Sequence, residues 1–139
     1  MTAGYMAEPD ACAKFQEGWF YPGDLLSREG DGPLIFHGRA DDVMILDGVN
    51  VFPSAIEDAL ESLPGVLEAV AFPIKSRVHG EIPAAAVALS GRAAAEEISG
   101  ILSYCQQLLG IRAPRQIRVV STIPRNAAGK PLRRELAAL

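Results

Sequence analysis

The spacing of apolar residues after residue 42 alternates between the period of a strand and that of a helix. Asp47-Gly48 lies between two short apolar runs, and an Asp-Gly pair in that position is typical of a two-residue β-hairpin turn. Glycine suits such a turn because it has no Cβ and adopts a left-handed conformation without strain. In chain order we predict a hairpin over 43–46 and 49–52, a helix ended by Pro64-Gly65, strands over 66–74 and 84–89, a helix over 94–109, a strand over 117–120 and a helix over 132–139.

The first two helices predicted after residue 42 each carry an apolar stripe. The first follows Pro53 and begins with Ser54 and Glu57 at the spacing of a capping box. Both stripes repeat every three or four residues, so we expect each helix to bury one face. The stripe residues are Ile56, Leu60 and Leu63 in the first helix and Ile98, Leu102, Cys105 and Leu109 in the second.

The first forty residues differ in character and are rich in glycine, proline and aromatic side chains. We predict a short helix over 11–16 with Asp10 as its N-cap, an extended aromatic segment over 18–21, and a hairpin that joins 24–26 to 34–36. Polar and small residues at 38–42 then interrupt the apolar pattern. The predicted fold class is α+β: a small β-sheet with helices packed on it, all on one face, preceded by a short β-hairpin segment.

Composition and charge exclude several classes of protein and kinds of site. The 139 residues carry a net charge of −4, whereas a general nucleic-acid binder needs an excess of Lys and Arg to neutralise phosphates. Hydrophobic residues make up 49% of the chain, enough for a core, yet no apolar run approaches the roughly 20 residues of a transmembrane helix. The first residues lack the basic and apolar regions of a signal peptide. Cys12 and Cys105 lie far apart and only two histidines are present, so neither a disulfide framework nor a metal site is expected.

Lys130 is the sharpest candidate for chemistry. It follows small residues and Gly129 in a loop between two prolines, Pro124 and Pro131. A lysine on such a loop can bring a point charge to a phosphate or carboxylate oxygen. The loop is not a P-loop, because it lacks the G-x-x-x-x-G-K-[ST] pattern. The alternative is a solvated lysine in a surface turn.

A second group of candidates lies in the first forty-two residues. Asp24 follows a glycine and could accept hydrogen bonds from a ribose diol, or could simply form a turn. Arg39 could bind a phosphate, or pair with Asp41 or Asp42 at the surface. Asp41 lies where a hinge residue would absorb backbone rotation, and the alternative is an ordinary linker carboxylate.

Three further features are expected to be structural. His79 and Glu81 could form an acid–base pair, but no orienting group is close in sequence, so a polar loop is favoured. Arg133 and Arg134 are expected on a solvated helix face. Trp19 is expected in a core or an interface.

Four segments stand in a fixed order along the chain. They are Gly18-Trp19-Phe20-Tyr21-Pro22-Gly23-Asp24, Gly38-Arg39-Ala40-Asp41-Asp42, Gly48-Val49-Asn50-Val51-Phe52-Pro53 with Ile56-Glu57, and Pro124-Arg125-Asn126-Ala127-Ala128-Gly129-Lys130. Together they resemble the adenylate-forming superfamily, which includes acyl-CoA synthetases, peptide-synthetase adenylation domains and luciferases. Order and spacing agree over nearly the whole chain; Pro22 stands where the family usually has Thr.

The resemblance implies the C-terminal domain of an acyl-CoA synthetase. Family members join a carboxylic acid to ATP, with Mg²⁺, as an acyl-adenylate and then transfer the acyl group to a thiol such as that of coenzyme A. A small C-terminal domain rotates between the two half-reactions. No metal ligand and no cofactor held by this chain alone are implied. The residues assigned by this likeness are Lys130 as catalytic, Asp24 and Arg39 as nucleotide-binding, Asp41 as hinge, and Gly48, Val49 and Asn50 as the loop of the CoA tunnel.

The same resemblance implies that residues 1–40 are the terminal stub of an N-terminal adenylating domain and that residues 41–139 are the mobile α+β domain. The phosphate loop and acid pocket of that N-terminal domain do not occur in the sequence, so we expect the chain alone to be inactive. We expect a cytoplasmic enzyme of fatty acid metabolism, with no nucleic-acid partner and no transmembrane segment. The alternatives are a fragment of a peptide-synthetase adenylation domain and a stand-alone, non-catalytic docking module.

Overall fold

The computed structural model describes residues 15–91 and 95–139, and the chain divides into two compact units between Asp41 and Asp42. The strands of the first unit are β1 (Phe15–Gln16), β2 (Trp19–Phe20), β3 (Asp24–Arg28) and β4 (Leu34–Arg39). They form two short antiparallel ribbons, β1 with β2 and β3 with β4. A 3₁₀ turn, Ala40–Asp42, follows β4.

The hairpin predicted from the apolar runs at 24–26 and 34–36 is confirmed, with longer strands on both sides. The helix predicted over 11–16 is wrong at its C-terminal end, because Phe15 and Gln16 form β1; residues 10–14 lie outside the described residues. Glu17 and Gly18 have φ values of 51° and 83°, a left-handed turn that pairs β1 with β2. Trp19 is 72% exposed, so of its two expected roles the core position is wrong.

The second unit is an α+β domain built on a five-stranded mixed sheet. Its elements are β5 (Met44–Leu46), β6 (Val49–Val51), α1 (Pro53–Glu61), β7 (Val66–Ser76), β8 (Gly80–Leu89), α2 (Ala95–Leu109), β9 (Gln116–Val120) and α3 (Arg133–Ala138). Strand β8 lies at the centre. Strand β7 runs antiparallel along one edge of β8, while the other edge carries β5 at the Gly80 end and the parallel strand β9 from Ala84 to Ala88. These elements confirm the predicted ones to within a few residues.

Helices cover both faces of this sheet, which corrects the expected packing on one face. Alternate residues of β7 enter two separate cores. Ala69 and Ala71 pack with α1 and α2, and Val70 and Phe72 pack with α3 on the opposite face. A strand buried on both sides has a continuous apolar sequence in place of alternation. The six consecutive buried residues at 83–88 of β8 are such a run.

Helix α1 begins two residues earlier than a capping box with Ser54 as the N-cap predicts. Pro53 occupies the first turn, where a helix does not need the N–H that proline lacks, and Phe52 stands at the N-cap without a side-chain cap. Ser54 is therefore inside the helix, and the predicted capping box is wrong.

Side chains close the outer edge of β7. Glu57 Oε1 on α1 accepts the N–H of Ala71 at 2.9 Å, and Glu61 Oε1 accepts the N–H of Ala69 at 3.1 Å. Arg133 on α3 donates its Nε to the carbonyl of Ala71 at 2.9 Å and pairs with Glu57 at 2.8 Å. The solvated face expected at Arg133 is therefore wrong, because this side chain ties α3 to β7 and α1.

Candidate functional site

The two loops of the second unit that the sequence singles out lie at opposite ends of the sheet. The Asp47-Gly48 turn follows β5, whose last residue pairs with the first residue of β8. The Lys130 loop follows β9, whose last residue pairs with Ala88 near the end of β8. At about 3.3 Å per residue, the 10 residues of β8 separate these ends by roughly 30 Å. The structure therefore does not bring Lys130 and Gly48 together.

The Lys130 loop is folded by its own hydrogen bonds, with Asn126 at their centre. The N–H of Asn126 donates to the carbonyl of Lys130 at 2.9 Å, and its carbonyl accepts the N–H of Gly129 at 2.9 Å. Its side-chain Oδ1 accepts the N–H groups of Ala128 at 3.0 Å and Lys130 at 2.9 Å. Gly129 has a φ of 79°, which the tight turn requires.

Arg125 anchors this loop to the sheet. Its guanidinium donates to the carbonyl of Gly129 and forms an ion pair with Glu68 on β7. A β-bridge between Arg125 and Pro131 holds the two ends of the loop together. Lys130 is exposed, and no residue that the structure describes forms an ion pair with its ammonium. The loop thus presents a positive charge on a backbone that is already fixed.

Gly48 stands at the exposed tip of the turn between β5 and β6. Asp47 and Gly48 have φ values of 48° and 81°, the left-handed pair of a type I′ turn. A Cβ on Gly48 would meet no heavy atom of the described residues within 4 Å, so the backbone conformation alone calls for glycine here. Val49 is half-buried, and the exposed Asn50 accepts a hydrogen bond on its carbonyl from Arg112 Nε at 3.3 Å.

His79, in the connection between β7 and β8, and Glu81, the second residue of β8, contact this turn and the strand before it. His79 Nδ1 lies 2.9 and 3.0 Å from the two carboxylate oxygens of Asp47. Glu81 Oε2 accepts the N–H of Ile45 on β5 at 3.0 Å. His79 thus lies in a polar loop, as favoured from the sequence, whereas Glu81 belongs to β8, and both side chains have specific partners. These partners are 32 and 36 residues away, which is why no local motif predicts them.

The first unit brings three of the predicted residues into one cluster around Arg39. Asp24 and Arg39 are paired across β3 and β4, with Arg39 Nη1 3.7 Å from Asp24 Oδ1. Arg39 Nη2 lies 3.6 Å from Asp41 Oδ2 and donates to the carbonyl of Pro22 at 2.9 Å. The surface pairing of Arg39 with Asp41 is thus present, and it extends to Asp24.

The part of the chain that the structure describes gives less support to a metal site, a transmembrane helix or a reactive cysteine. There, no group of three or more His, Cys, Asp or Glu side chains could hold a metal ion, and no helix is long and apolar enough to cross a membrane. Cys105 is free and buried, and burial raises the pKa of its thiol, which disfavours a nucleophilic thiolate. Cys12 lies outside the described residues, and Arg134 is exposed as expected.

Curated relatives match the whole chain. A 2-succinylbenzoate–CoA ligase from Geobacillus kaustophilus is 37% identical over 141 residues, covering 100% of this chain and 29% of the relative. A ligase of the same name from Bacillus cereus matches with the same identity and coverage. The chain therefore spans less than a third of the length of these relatives. Their names give no support to the expected link with fatty acid metabolism.

Solved structures of similar proteins share the fold. o-Succinylbenzoate CoA synthetase from Bacillus subtilis, in complex with its acyl-adenylate intermediate, has a TM-score of 0.81 and 33% identity, over 93% of this chain and 26% of that one. An amide bond synthetase from Marinactinospora thermotolerans has a TM-score of 0.85 and 27% identity, over 98% and 28%. The family model of the AMP-binding enzyme C-terminal domain matches residues 55–130. The resemblance carried by the four segments is thus confirmed, and the chain belongs to the AMP-binding enzyme C-terminal domain family.

Proposed function

We propose that this chain is the C-terminal part of an ATP-dependent acid–thiol ligase that forms an acyl-adenylate and then a thioester with coenzyme A. Residues 1–40 would end its N-terminal adenylating domain, and residues 41–139 would form the mobile C-terminal domain. The observation that carries this proposal is the placement of Lys130 and Gly48 at opposite ends of one sheet. A single active site cannot contact both ends at once, so the domain presents them in turn.

In the first half-reaction Lys130 offsets negative charge. A carboxylate oxygen of the acid attacks the α-phosphorus of ATP, supplied as its Mg²⁺ complex, and the bond from that phosphorus to pyrophosphate breaks. The ammonium of Lys130 stabilises the charge that develops on the α-phosphate and carboxylate oxygens. Because Asn126 and Arg125 fix the loop before substrate binds, the charge reaches its position with little reorganisation.

The Arg39 cluster binds the nucleotide. The Asp24 carboxylate, at the beginning of β3, accepts hydrogen bonds from the ribose hydroxyls. Arg39 lies near the nucleotide and orients Asp24 through the ion pair across the ribbon. Such exposed ion pairs add only about 0–1 kcal/mol to stability, so their contribution is to the direction of the carboxylate.

In the second half-reaction the Gly48 turn replaces the Lys130 loop at the active site. The thiol sulfur of CoA attacks the carbonyl carbon of the acyl-adenylate, its proton is lost, and AMP leaves with the oxygen that joined it to the acyl group. Gly48, Val49 and Asn50 line the tunnel for the pantetheine arm, where a side chain on Gly48 would obstruct the thiol. Asp41, in the 3₁₀ turn where the two units divide, is the hinge.

The missing partner is the rest of the N-terminal adenylating domain. The first unit exposes a set of large apolar side chains on two short ribbons, and such surfaces mark an interface. The side chains are Trp19, Tyr21, Leu26, Leu34, Ile35 and Phe36. An N-terminal adenylating domain also accounts for the part of the relatives' length that this chain does not cover. We place the enzyme in the cytoplasm because ATP and CoA are its substrates.

The test uses the intact protein that carries this chain. ATP–pyrophosphate exchange with a panel of carboxylic acids, 2-succinylbenzoate included, measures the first half-reaction; consumption of preformed acyl-adenylate by CoA measures the second. Lys130→Ala should slow adenylation by roughly 10²–10³-fold, as for loss of one preorganised charge-stabilising group, and leave the second half-reaction nearly unchanged. Lys75→Ala, an exposed lysine on β7, is the matched control and should keep both rates within a few-fold.

Adenylation by Lys130→Ala at close to the wild-type rate, or an equal loss in both half-reactions, would reject the role of Lys130. If the intact protein adenylated none of the acids, a non-catalytic docking module would be the better account. If the adenylate were consumed by a carrier protein or an amine in place of CoA, the ligase assignment would stand with a different acceptor.

A further inference from the structure

The β5–β6 hairpin has few backbone hydrogen bonds to the rest of the sheet. Only one residue pair, Leu46 with Gly80, joins β5 to β8 among the described residues. One longer backbone bond, from the N–H of Asp47 to the carbonyl of His79 at 3.4 Å, lies next to it. Buried side chains hold the base of the hairpin in the core, but its tip at Asp47 and Gly48 is exposed. The orientation of the tip therefore depends on other contacts.

His79, in the connection between β7 and β8, and Glu81, the second residue of β8, supply such contacts to the β5 side of the hairpin. A carboxylate only accepts hydrogen bonds, so His79 Nδ1 must carry the hydrogen it shares with Asp47, at 2.9 and 3.0 Å from the two oxygens. Glu81 Oε2 accepts the N–H of Ile45 at 3.0 Å, on the strand that leads into the turn. The two side chains thus form hydrogen bonds to the turn and to β5, the strand before it.

The connection itself is well fixed. The Oγ of Ser76 accepts the N–H groups of Val78 at 3.3 Å and His79 at 3.2 Å, so a side chain at the end of β7 shapes the turn that carries His79. Gly80 has a φ of 73°, and a Cβ there would lie 3.7 Å from the carbonyl of Ile45. Bonds within the connection and to the end of β7 thus contribute to the conformation of the segment that carries His79.

We propose that His79 and Glu81 are positioning residues that hold the Asp47–Gly48 turn in the orientation needed for acyl transfer to the thiol. This inference rests on the proposed function, because it gives the turn its role in the second half-reaction. His79 acts through Asp47 and Glu81 acts through the backbone of Ile45; neither touches substrate. Both contacts lie at the end of the sheet remote from Lys130, so adenylation does not use them.

The kinetic test compares half-reactions in the intact protein. His79→Ala should slow thioester formation from preformed acyl-adenylate, or raise the KM for CoA, by roughly 10- to 100-fold, since small displacements of a positioned group have effects of that size. Adenylation should be unchanged. His79→Asn places an N–H donor near the position of Nδ1 and should restore most of the rate, and Asp47→Ala with His79→Ala should be no worse than either alone. Val78→Ala, an 82% exposed residue of the same connection, is the matched control.

Hydrogen exchange of the peptide spanning residues 45–50 gives a readout independent of activity. It should speed up in His79→Ala and Glu81→Ala, and stay at the wild-type rate in Val78→Ala and in Glu81→Gln, which keeps the acceptor oxygen. An unchanged thioester rate in His79→Ala, or a fall in adenylation as large as the fall in thioester formation, would overturn the positioning role. If the intact wild type formed no adenylate, the proposed function would fail first. Unchanged exchange would then show separately that the contacts do not hold the turn.

Discussion

Burial raises the pKa of Glu57 above its ordinary value of 4.5, although the guanidinium of Arg133 lies 2.8 Å from its carboxylate. Loss of hydration is the largest effect and disfavours the ionised form. The N–H of Ala71 and the charge of Arg133 lower the pKa without offsetting that effect, and the nearby Glu61 raises it slightly further. Glu57 is therefore a place where the stability of the domain depends on pH.

We expect the free energy of unfolding to fall as pH rises from 4.5 toward the raised pKa of Glu57. In that window the folded chain holds a proton that the unfolded chain has already released, so raising the pH favours unfolding. Below the window both states are protonated, and above it both are ionised. Glu57→Gln keeps an oxygen for the N–H of Ala71 but cannot ionise, so it should lack this part of the pH dependence. Urea denaturation of both proteins from about pH 4 to about pH 7 measures it, and a constant difference in stability over that range would contradict the assignment.

At the scale of the element, the Lys130 loop depends on Asn126. Asn126→Ala removes the side-chain acceptor of the N–H groups of Ala128 and Lys130. We expect adenylation in the intact protein to fall by roughly 10-fold, because the charged group is no longer held in place, while thioester formation from preformed adenylate is unaffected. Asn126→Asp keeps an acceptor oxygen at the position of Oδ1 and should recover most of the rate. An Asp variant as slow as the Ala variant would show that the hydrogen bonds are not what positions Lys130.

Substitution of Gly48 is expected to affect the two half-reactions in the opposite way. Gly48→Leu should leave adenylation within a few-fold of wild type and slow thioester formation by roughly 10²-fold, because a side chain enters the path of the thiol. Leucine is also strained at a φ of 81°, whereas asparagine tolerates the left-handed region. If strain alone caused the loss, Gly48→Asn would behave as wild type, and separate assays of the two half-reactions distinguish the cases. Comparable losses in both half-reactions would reject a role confined to the second.

Local patterns predict most elements of this chain because the signals lie within a few residues of one another. The Asp47-Gly48 turn and the second helix needed no tertiary information. The start of α1 was predicted wrongly because Glu57, three residues after Ser54, fits a capping box in sequence but bonds to β7 in space. The helix expected near residue 15 failed because pairing of Phe15 with Phe20 outweighed local propensity.

In the candidate site too, local sequence predicts some features and leaves others unpredicted. Lys130 and Gly48 belong to contiguous motifs, and the turns that present them follow from glycine and Asn126. The contacts that hold these turns do not, because they join residues far apart in the chain. Arg125 to Glu68 spans 57 residues and His79 to Asp47 spans 32. Such pairs become visible only when the strand order of the sheet is known.

At the scale of the whole molecule, the division of the chain at Asp41 bears on the change between half-reactions. Asp41→Pro in the intact protein fixes φ at the proposed hinge and disfavours the 3₁₀ conformation of Ala40 before it. If the stiffened hinge restricts the domain to the adenylating orientation, we expect thioester formation to fall more than adenylation, by roughly 10-fold. Asp41→Ala removes the ion pair with Arg39 but leaves the backbone free, and should affect both half-reactions little. Equal losses of adenylation and thioester formation in Asp41→Pro would contradict the assignment of Asp41 as the hinge.

The closed outer edge of β7 has a consequence for the proposed movement of the domain. Each change of orientation would detach the domain from one set of neighbours, and an open strand edge would then be a template for strand addition by other chains. At the middle of β7 that template is absent: the N–H groups of Ala69 and Ala71 are already bonded to Glu61 and Glu57, and the carbonyl of Ala71 to Arg133. The carboxylates and guanidinium that join α1 and α3 to the sheet would therefore also protect the domain from edge-to-edge aggregation whenever the proposed movement detached it.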